Sequence, residues 1–391
     1  MTTKEQDKQY IMNTYGRYNV ALVKGKGCVA WDEDGKRYLD VSSGIGVNAL
    51  GYCDEGWVKA VTEQAGTIQH MSNYFYSSQP SQLAEKLCTL TPFTKVCFGN
   101  SGAEANECAI KIARKYSFDK YGDGRNEVIT LHNSFHGRTV TTLSATGQDV
   151  FHNYFFPFTE GFRYAEPNDI DSVKALLSDK TCAVMIECVQ GEGGVNILDK
   201  AFVQQLRQLC DDKDLVLIVD EVQTGIGRTG TLFCYENFDI VPDVITCAKG
   251  LGGGLPIGAC LCTEKLENVM QPSTHGTTFG ANPVACAGAN YILSAVADFK
   301  FLGEVNIKGE YLRRKLLEIK GVKSVRNLGL MVGIELEDKD AHDIAVKCVE
   351  NGLLIITAKT LLRMLPPLNI SYSEIDEAVE ILNKTLQEDN K

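Results

Sequence analysis

The sequence predicts an α/β fold: a mostly parallel sheet with helices on both faces, and a smaller α+β domain beside it. Three observations carry this. Leu215 to Val219 is an uninterrupted apolar, largely β-branched run, the pattern of a strand covered on both faces, and it ends abruptly in Asp220 and Glu221. A second apolar segment, Val241 to Ala248, broken by Pro242 and Asp243, ends in Lys249 and the glycine-rich run GLGGGLPIGA. Upstream, the short apolar KVCFGN passes directly into SGAEANECAIKIARKYSFD, whose apolar residues recur at helical spacing. Polar residues at such strand ends lie where open α/β sheets bind ligands.

With 391 residues, 44% hydrophobic and 23% charged, the chain has room for two domains and a large core. The expected division is an N-terminal segment of the small domain over 1–55, a large cofactor-binding domain over 56–290, and the rest of the small domain over 291–391. A net charge of −11 argues against nucleic-acid or anionic-membrane surfaces, which need clustered Lys and Arg. Small molecules are the expected partners. The first residues, MTTKEQDKQYIMNTYGRY, carry no apolar core of a signal peptide, and no run approaches a membrane span. The 14 cysteines lie scattered in apolar segments without C-x-x-C spacing, so they read as reduced core residues of a cytoplasmic protein, with no metal site expected.

In chain order, GKGCVAWDEDGKRYLD alternates around a D-E-D-G turn, as a hairpin does. VSSGIGVNALGY is glycine-punctuated and loop-like. A helical pattern over Ser81 to Leu90 leads to KVCFGN. There Ser101 and Glu104 form a capping-box pair, and Gly102 and Ala103 leave first-turn amides open at the positive end of the helix, which suits a phosphate as well as a cap. VITLHNSFHGRTVTTLSATG carries Phe135, His136 and Arg138. TCAVMIECVQGEGG is a further strand, with Glu187 and Glu192 at or beyond its carboxyl end, a pair suited to acid–base work. The string HGTTFGANP puts Thr277 and Thr278 in a loop before a helix from Ala285 to Ala297. From Lys308 onward a charged helix, short strands, two more helices and LRMLPPL describe a compact α+β unit.

Lys249 reads either as a solvated strand end or as an amine placed to form an imine. Gly225, Gly227 and Gly230 spell G-x-G-x-x-G, the fingerprint of a nicotinamide oxidoreductase. That motif should turn at once into a long helix, whereas here DEVQ precedes it and no amphipathic helix follows. It reads instead as a bent active-site loop.

With Asp220, Gln223 and Lys249 spaced this way, the chain resembles a class III, fold-type I pyridoxal-phosphate aminotransferase. The resemblance runs from NTYGRY at Asn13 to LRMLPPLNIS at Leu362. It implies pyridoxal 5′-phosphate as cofactor, with Lys249 and Asp220 as the catalytic residues. Lys249 would hold the cofactor and Asp220 its ring nitrogen. Gln223 would meet its phenolic oxygen, Phe135 would cover its ring, and Ser101, Gly102 and Ala103 would bind its phosphate. Thr278 would reach the phosphate of the neighbouring subunit, so a homodimer with sites at the subunit boundary is expected.

On the substrate side the resemblance implies Arg138, Thr277, Glu192 and Arg363, with Arg363 either near a substrate carboxylate or paired with Glu192. The loop at Ser43, Gly44 and Ile45 lies near the substrate in the family. His136 is left outside the catalytic set, and Glu187 reads as structural. The implied reaction transfers the δ-amino group of N2-acetylornithine to 2-oxoglutarate. Relatives in the family use ornithine, succinylornithine, succinyldiaminopimelate or 4-aminobutyrate. Tyr52, Cys188 and Ala281 stand where the family commonly has histidine, proline and glycine.

Overall fold

The computed structural model describes residues 1–388. The N-terminal part forms β1 (Leu22–Lys26), β2 (Val29–Asp32) and β3 (Arg37–Asp40), with β2 and β3 as the expected hairpin. Four strands follow with helices between them: β4 (Lys95–Gly99), β5 (Glu127–Leu131), β6 (Phe162–Ala165) and β7 (Thr181–Ile186). A two-stranded ribbon, β8 (Val189–Gln190) and β9 (Asn196–Ile197), precedes β10 (Val216–Asp220), β11 (Val244–Cys247) and β12 (Gly258–Cys262). The C-terminal part contributes β13 (Val322–Leu328), β14 (Met331–Leu336), β15 (Leu353–Leu354), β16 (Ile356–Ala358) and β17 (Leu361–Met364).

The large sheet has the order β4-β12-β11-β10-β7-β5-β6. Only β12 runs against its neighbours, pairing antiparallel with both β11 and β4. β10 is parallel to β11 and β7, and β5 is parallel to β7 and β6. Consequently the carboxyl ends of β4, β5, β7, β10 and β11 share one edge. Every residue of β5, β7, β10 and β11 is buried, which explains why these strands are apolar on both faces rather than alternating.

The two chain ends meet through backbone. β15 pairs in parallel with β3, and Leu365 N–H donates to Val41 O at 2.7 Å while Leu368 N–H donates to Ala49 O at 2.7 Å. β13, β14, β17 and β16 form the C-terminal sheet. The expected border at 290 falls inside the helix Pro283–Val296, not in a linker. No helix of the described residues is long and apolar enough to cross a membrane.

The G-x-G-x-x-G segment also differs from expectation. It does turn without entering a long helix, but it does not line the strand-end cavity and packs against the C-terminal part. A Cβ on Gly227 would touch Leu302 and Leu368, and Arg228 donates through one nitrogen to Leu330 O at 3.0 Å and Pro366 O at 2.6 Å. Three glycines allow this close passage of backbone, so the motif is a joint between the large sheet and the C-terminal part.

Close passage also governs the helix Phe299–Leu317, which crosses the turn between β13 and β14 at Gly309. A Cβ there would lie 2.1 Å from Gly329 O, a rigid backbone atom. Gly309→Ala should therefore lower unfolding stability by about 1–3 kcal/mol, the usual cost of overpacking, despite the better helix propensity of alanine. A denaturant midpoint equal to or above the parent's would contradict this packing.

Candidate active site

A cavity of ≈480 Å³ opens at the shared strand edge. Its walls include Ser101, Gly102, Ala103, Phe135, Arg138, Asp220, Gln223 and Lys249, so eight of the sequence-predicted residues come together from four separate segments.

The helix Gly102–Tyr121 begins at this cavity. Ser101 Oγ accepts from Glu104 N–H at 3.2 Å, as expected of an N-cap. The capping box itself is not made. Glu104 Oε2 accepts from Asn100 N–H at 2.7 Å and Asn100 Nδ2 at 2.8 Å, one residue earlier than a capping box requires. The carboxylate thus holds the turn that enters the helix. Gly102 is required by contact: a Cβ on it would meet Val222 Cγ1 at 2.6 Å, so the helix start and the segment after Asp220 share one gap.

Asp220, at the end of β10, is 4% exposed and fully engaged. Its Oδ2 accepts from Asn106 Nδ2 at 2.7 Å and from His136 Nδ1 at 2.9 Å, and its Oδ1 accepts from Val222 N–H at 3.0 Å. Asn106 is held in turn by Thr246 Oγ1, which donates to its Oδ1 at 2.6 Å. Sequence reasoning missed Asn106 and set His136 aside. The available signal was a polar residue, Asn106, on the buried face of a helix among Ala105, Cys108 and Ala109.

Lys249 follows β11 in a single tight turn, with a left-handed φ of 42°. Burial lowers the pKa of its ammonium, opposed by the charges of Glu192 and Asp220. Glu187 lies beside Asp220; burial and that neighbouring carboxylate raise its pKa well above the usual range, although Phe135 N–H donates to it at 2.8 Å. Arg138 stands exposed at the mouth, its guanidinium 4.1 Å from the Phe151 ring centre and 5.3 Å from that of Phe135. Phe151, too, was not singled out from the sequence.

Arg363 on β17 is 2% exposed and pairs with Glu192 through both nitrogens, at 2.7 and 3.2 Å. Gln223 closes the cluster, accepting from Arg363 at 3.0 Å and donating to Glu192 at 3.2 Å. Burial raises the Glu192 pKa, but Arg363, Lys249 and Gln223 together outweigh it and the net shift is downward. Thr277 and Thr278 are outside the cavity wall. Thr277 Oγ1 accepts from Asn100 Nδ2 at 3.0 Å, whereas Thr278 is exposed. Ser43, Gly44 and Ile45 also miss the wall, which takes Val47 from that loop instead. Ala281, where the family has glycine, adopts a left-handed φ of 62°.

The geometry describes an enzyme whose sheet edge offers an amine, a fixed carboxylate and a helix N-terminus to one ligand. A profile of the family Aminotransferase class-III matches residues 10–386. The chain is 50% identical over 387 residues to the acetylornithine aminotransferase of Haemophilus ducreyi, covering 98% of both. It is 45% identical over 390 residues to that of Methanocaldococcus jannaschii, again covering 98% of both. Among solved structures, an ornithine aminotransferase from Toxoplasma gondii superposes with a TM-score of 0.94 at 31% identity, over 100% of this chain and 97% of that one. The N-acetylornithine aminotransferase of Stenotrophomonas maltophilia superposes with a TM-score of 0.85 at 35% identity, over 98% of each. The chain belongs to the class-III aminotransferases, and its cofactor is pyridoxal 5′-phosphate. The residues present fit that group: a helix start kept clear by Gly102 for a phosphate, a carboxylate set by three donors for a ring nitrogen, and Lys249 on the same cavity.

Beneath Asp220, Glu221 accepts from Tyr235 N–H at 2.8 Å and from the Thr224 hydroxyl, yet burial pushes its pKa up to about 7. An unfolded glutamate titrates near 4.3. Between these values the folded state holds a proton that the unfolded state has released, so stability falls as pH rises from about 4.3 to about 7. Glu221→Gln should remove that slope, and its stability relative to the parent should improve by up to roughly 3 kcal/mol between pH 4.5 and pH 8. Unfolding midpoints that keep a constant offset across this range would contradict the assignment.

Proposed function

We propose that the chain transfers the δ-amino group of N2-acetyl-L-ornithine to 2-oxoglutarate, giving N-acetylglutamate 5-semialdehyde and glutamate, a step of arginine biosynthesis. The observation that carries the reaction type is the meeting of Lys249, Asp220 and the helix start at Gly102 in one cavity. The substrate rests on relatives of that name at up to 50% identity over nearly the whole chain.

Bound in this cavity, the cofactor supplies an aldehyde carbon that takes up an amino group and a ring that withdraws electrons from the adjoining bond. The chain's residues do the rest. Lys249 Nζ, whose pKa burial lowers, would take the proton from the substrate carbon and deliver it to the cofactor carbon, so that the amino group stays behind. Asp220, its orientation set by Asn106, His136 and Val222 N–H, would keep a proton on the cofactor's ring nitrogen. Phe135 and Gln223 line the cavity, where Phe135 would cover the cofactor ring and Gln223 would meet its phenolic oxygen. Ser101, Gly102 and Ala103 would receive the phosphate. Arg138, with no carboxylate partner among the described residues and braced by Phe151, is set to grip a substrate carboxylate at the mouth. Arg363 is already neutralised by Glu192, so a carboxylate reaches it only by displacing that side chain.

The functional unit we infer is a cytoplasmic homodimer. Thr278 is exposed and lies outside the wall of its own cavity, and Tyr74, Phe75, Tyr76 and Phe279 are 95%, 69%, 102% and 61% exposed, an apolar surface suited to a second copy. The cysteines are all free, which suits a reducing compartment.

With the α-carboxylate on Arg138, the acetylated nitrogen cannot compete as the amino donor and the δ-amine is the reacting group. Ornithine places a charged α-amine where the acetamide belongs, and an unpaired buried ammonium is costly. The kcat/KM for acetylornithine should exceed those for ornithine, succinyldiaminopimelate and 4-aminobutyrate. Arg138→Ala should lower it by about one to two decades, the equivalent of ~1.5–3 kcal/mol for a charge-assisted pair. If ornithine or 4-aminobutyrate is the better donor, the substrate named here is wrong. If Arg138→Ala leaves the ranking and rates unchanged, Arg138 is not the carboxylate grip.

A further inference from the structure

Outside the active site, two thiols and an imidazole converge at the edge of the large sheet. Cys97 lies on β4, Cys108 on the second turn of the helix Gly102–Tyr121, and His275 in the loop before the helix Pro283–Val296. One ligand atom from each lies within 4.8 Å of the others, and among the described residues this is the one group of three such side chains that meets so closely. The same three residues line a cavity of ≈300 Å³, which also reaches Glu107 and Thr277.

We propose that Cys97, Cys108 and His275 form a binding site for a divalent d¹⁰ cation of the zinc type. Two sulfurs and one nitrogen are the donors such ions prefer over oxygen-only sites. With metal–sulfur bonds of about 2.3 Å and metal–nitrogen bonds of about 2.0–2.1 Å, tetrahedral ligand atoms stand roughly 3.6–3.8 Å apart, so the group has to contract by about 1 Å at most. The fourth position opens onto the cavity. Two thiolates balance the ion's two charges, and each ion bound forms two metal–sulfur bonds and releases two thiol protons to solvent. Binding therefore strengthens as pH rises.

Lys111 opposes the site. Its Nζ lies 3.1 Å from His275 Nδ1 and donates to Thr274 O at 2.7 Å. Either ring nitrogen can ligate only if this contact is given up: through Nδ1 the ion replaces the ammonium, and through Nε2 the ring keeps its proton on Nδ1 and cannot accept from it. The carbonyl of Thr274 remains to hold Lys111. An occupied site would clip the loop bearing Thr277 and Thr278 to the strand and helix that lead into the phosphate end of the active site.

The test is titration of the chelator-treated, cofactor-loaded enzyme with Co²⁺ under reducing, oxygen-free conditions. The d–d bands of tetrahedral, thiolate-bound Co²⁺ lie in the red, clear of the cofactor's own absorption. One Co²⁺ per chain with red bands that Zn²⁺ removes is expected. Cys108→Ser and His275→Ala should each weaken binding by more than about tenfold, and Lys111→Met should tighten it. His275 lies in a loop, so its variant tests the site even if the buried cysteine variant fails to fold. Absence of red bands in the parent, parental affinity in His275→Ala, or no tightening in Lys111→Met would overturn the proposal.

Discussion

The structure depends first on satisfying one buried carboxylate. Asp220 ends a strand that is buried on both faces, and an ionised group in that position must be hydrogen-bonded or it destabilises the fold. Two of its three donors come from other segments: Asn106 from the helix after β4, and His136 from the loop after β5. Meeting that demand draws the helix start, the Phe135 loop and the end of β10 around one cavity. Lys249 arrives from the neighbouring strand, β11. The same contacts that make the strand end tolerable therefore assemble the chemistry.

A second buried charge ties the C-terminal part to this centre. Arg363 is almost wholly enclosed, and removing its partner would leave an uncompensated cation, which is costlier than the pair is stabilising. Glu192 and Gln223 both satisfy it. Arg228 does the same for the glycine-rich joint by donating to two backbone carbonyls of the C-terminal part. The large sheet and the C-terminal sheet are thus coupled through arginines as well as through apolar contact, with one of these couplings beside the cavity.

Much of this was legible in the residues. The strands ending in Asp220 and Lys249 announced themselves because covered strands are apolar on every residue, and the helix at Gly102 because its cap and periodicity lie within a few positions. Local signals gave local answers. Asn106 and His136 were not assigned because their partner is more than eighty positions away and nothing in either segment points to it. The glycines at 225, 227 and 230 misled for the complementary reason: they mark close backbone passage, and sequence alone does not say past what. The pairing of Glu104 with Asn100, one residue off the capping-box pattern, is a matter of side-chain reach that spacing cannot resolve. The cysteine and histidine cluster is distributed over three segments, so it lacks the short-range spacing by which metal sites are read.

The central assignment is that Lys249, delivered beside the fixed carboxylate of Asp220, is the amine that holds the cofactor. Borohydride reduction of the cofactor-loaded protein, followed by proteolysis and mass mapping of the phosphopyridoxyl group, tests it directly. The expected result is a single label on Lys249 that is absent from Lys249→Ala. A label on another lysine, or one that persists in Lys249→Ala, would contradict the assignment and the site built on it.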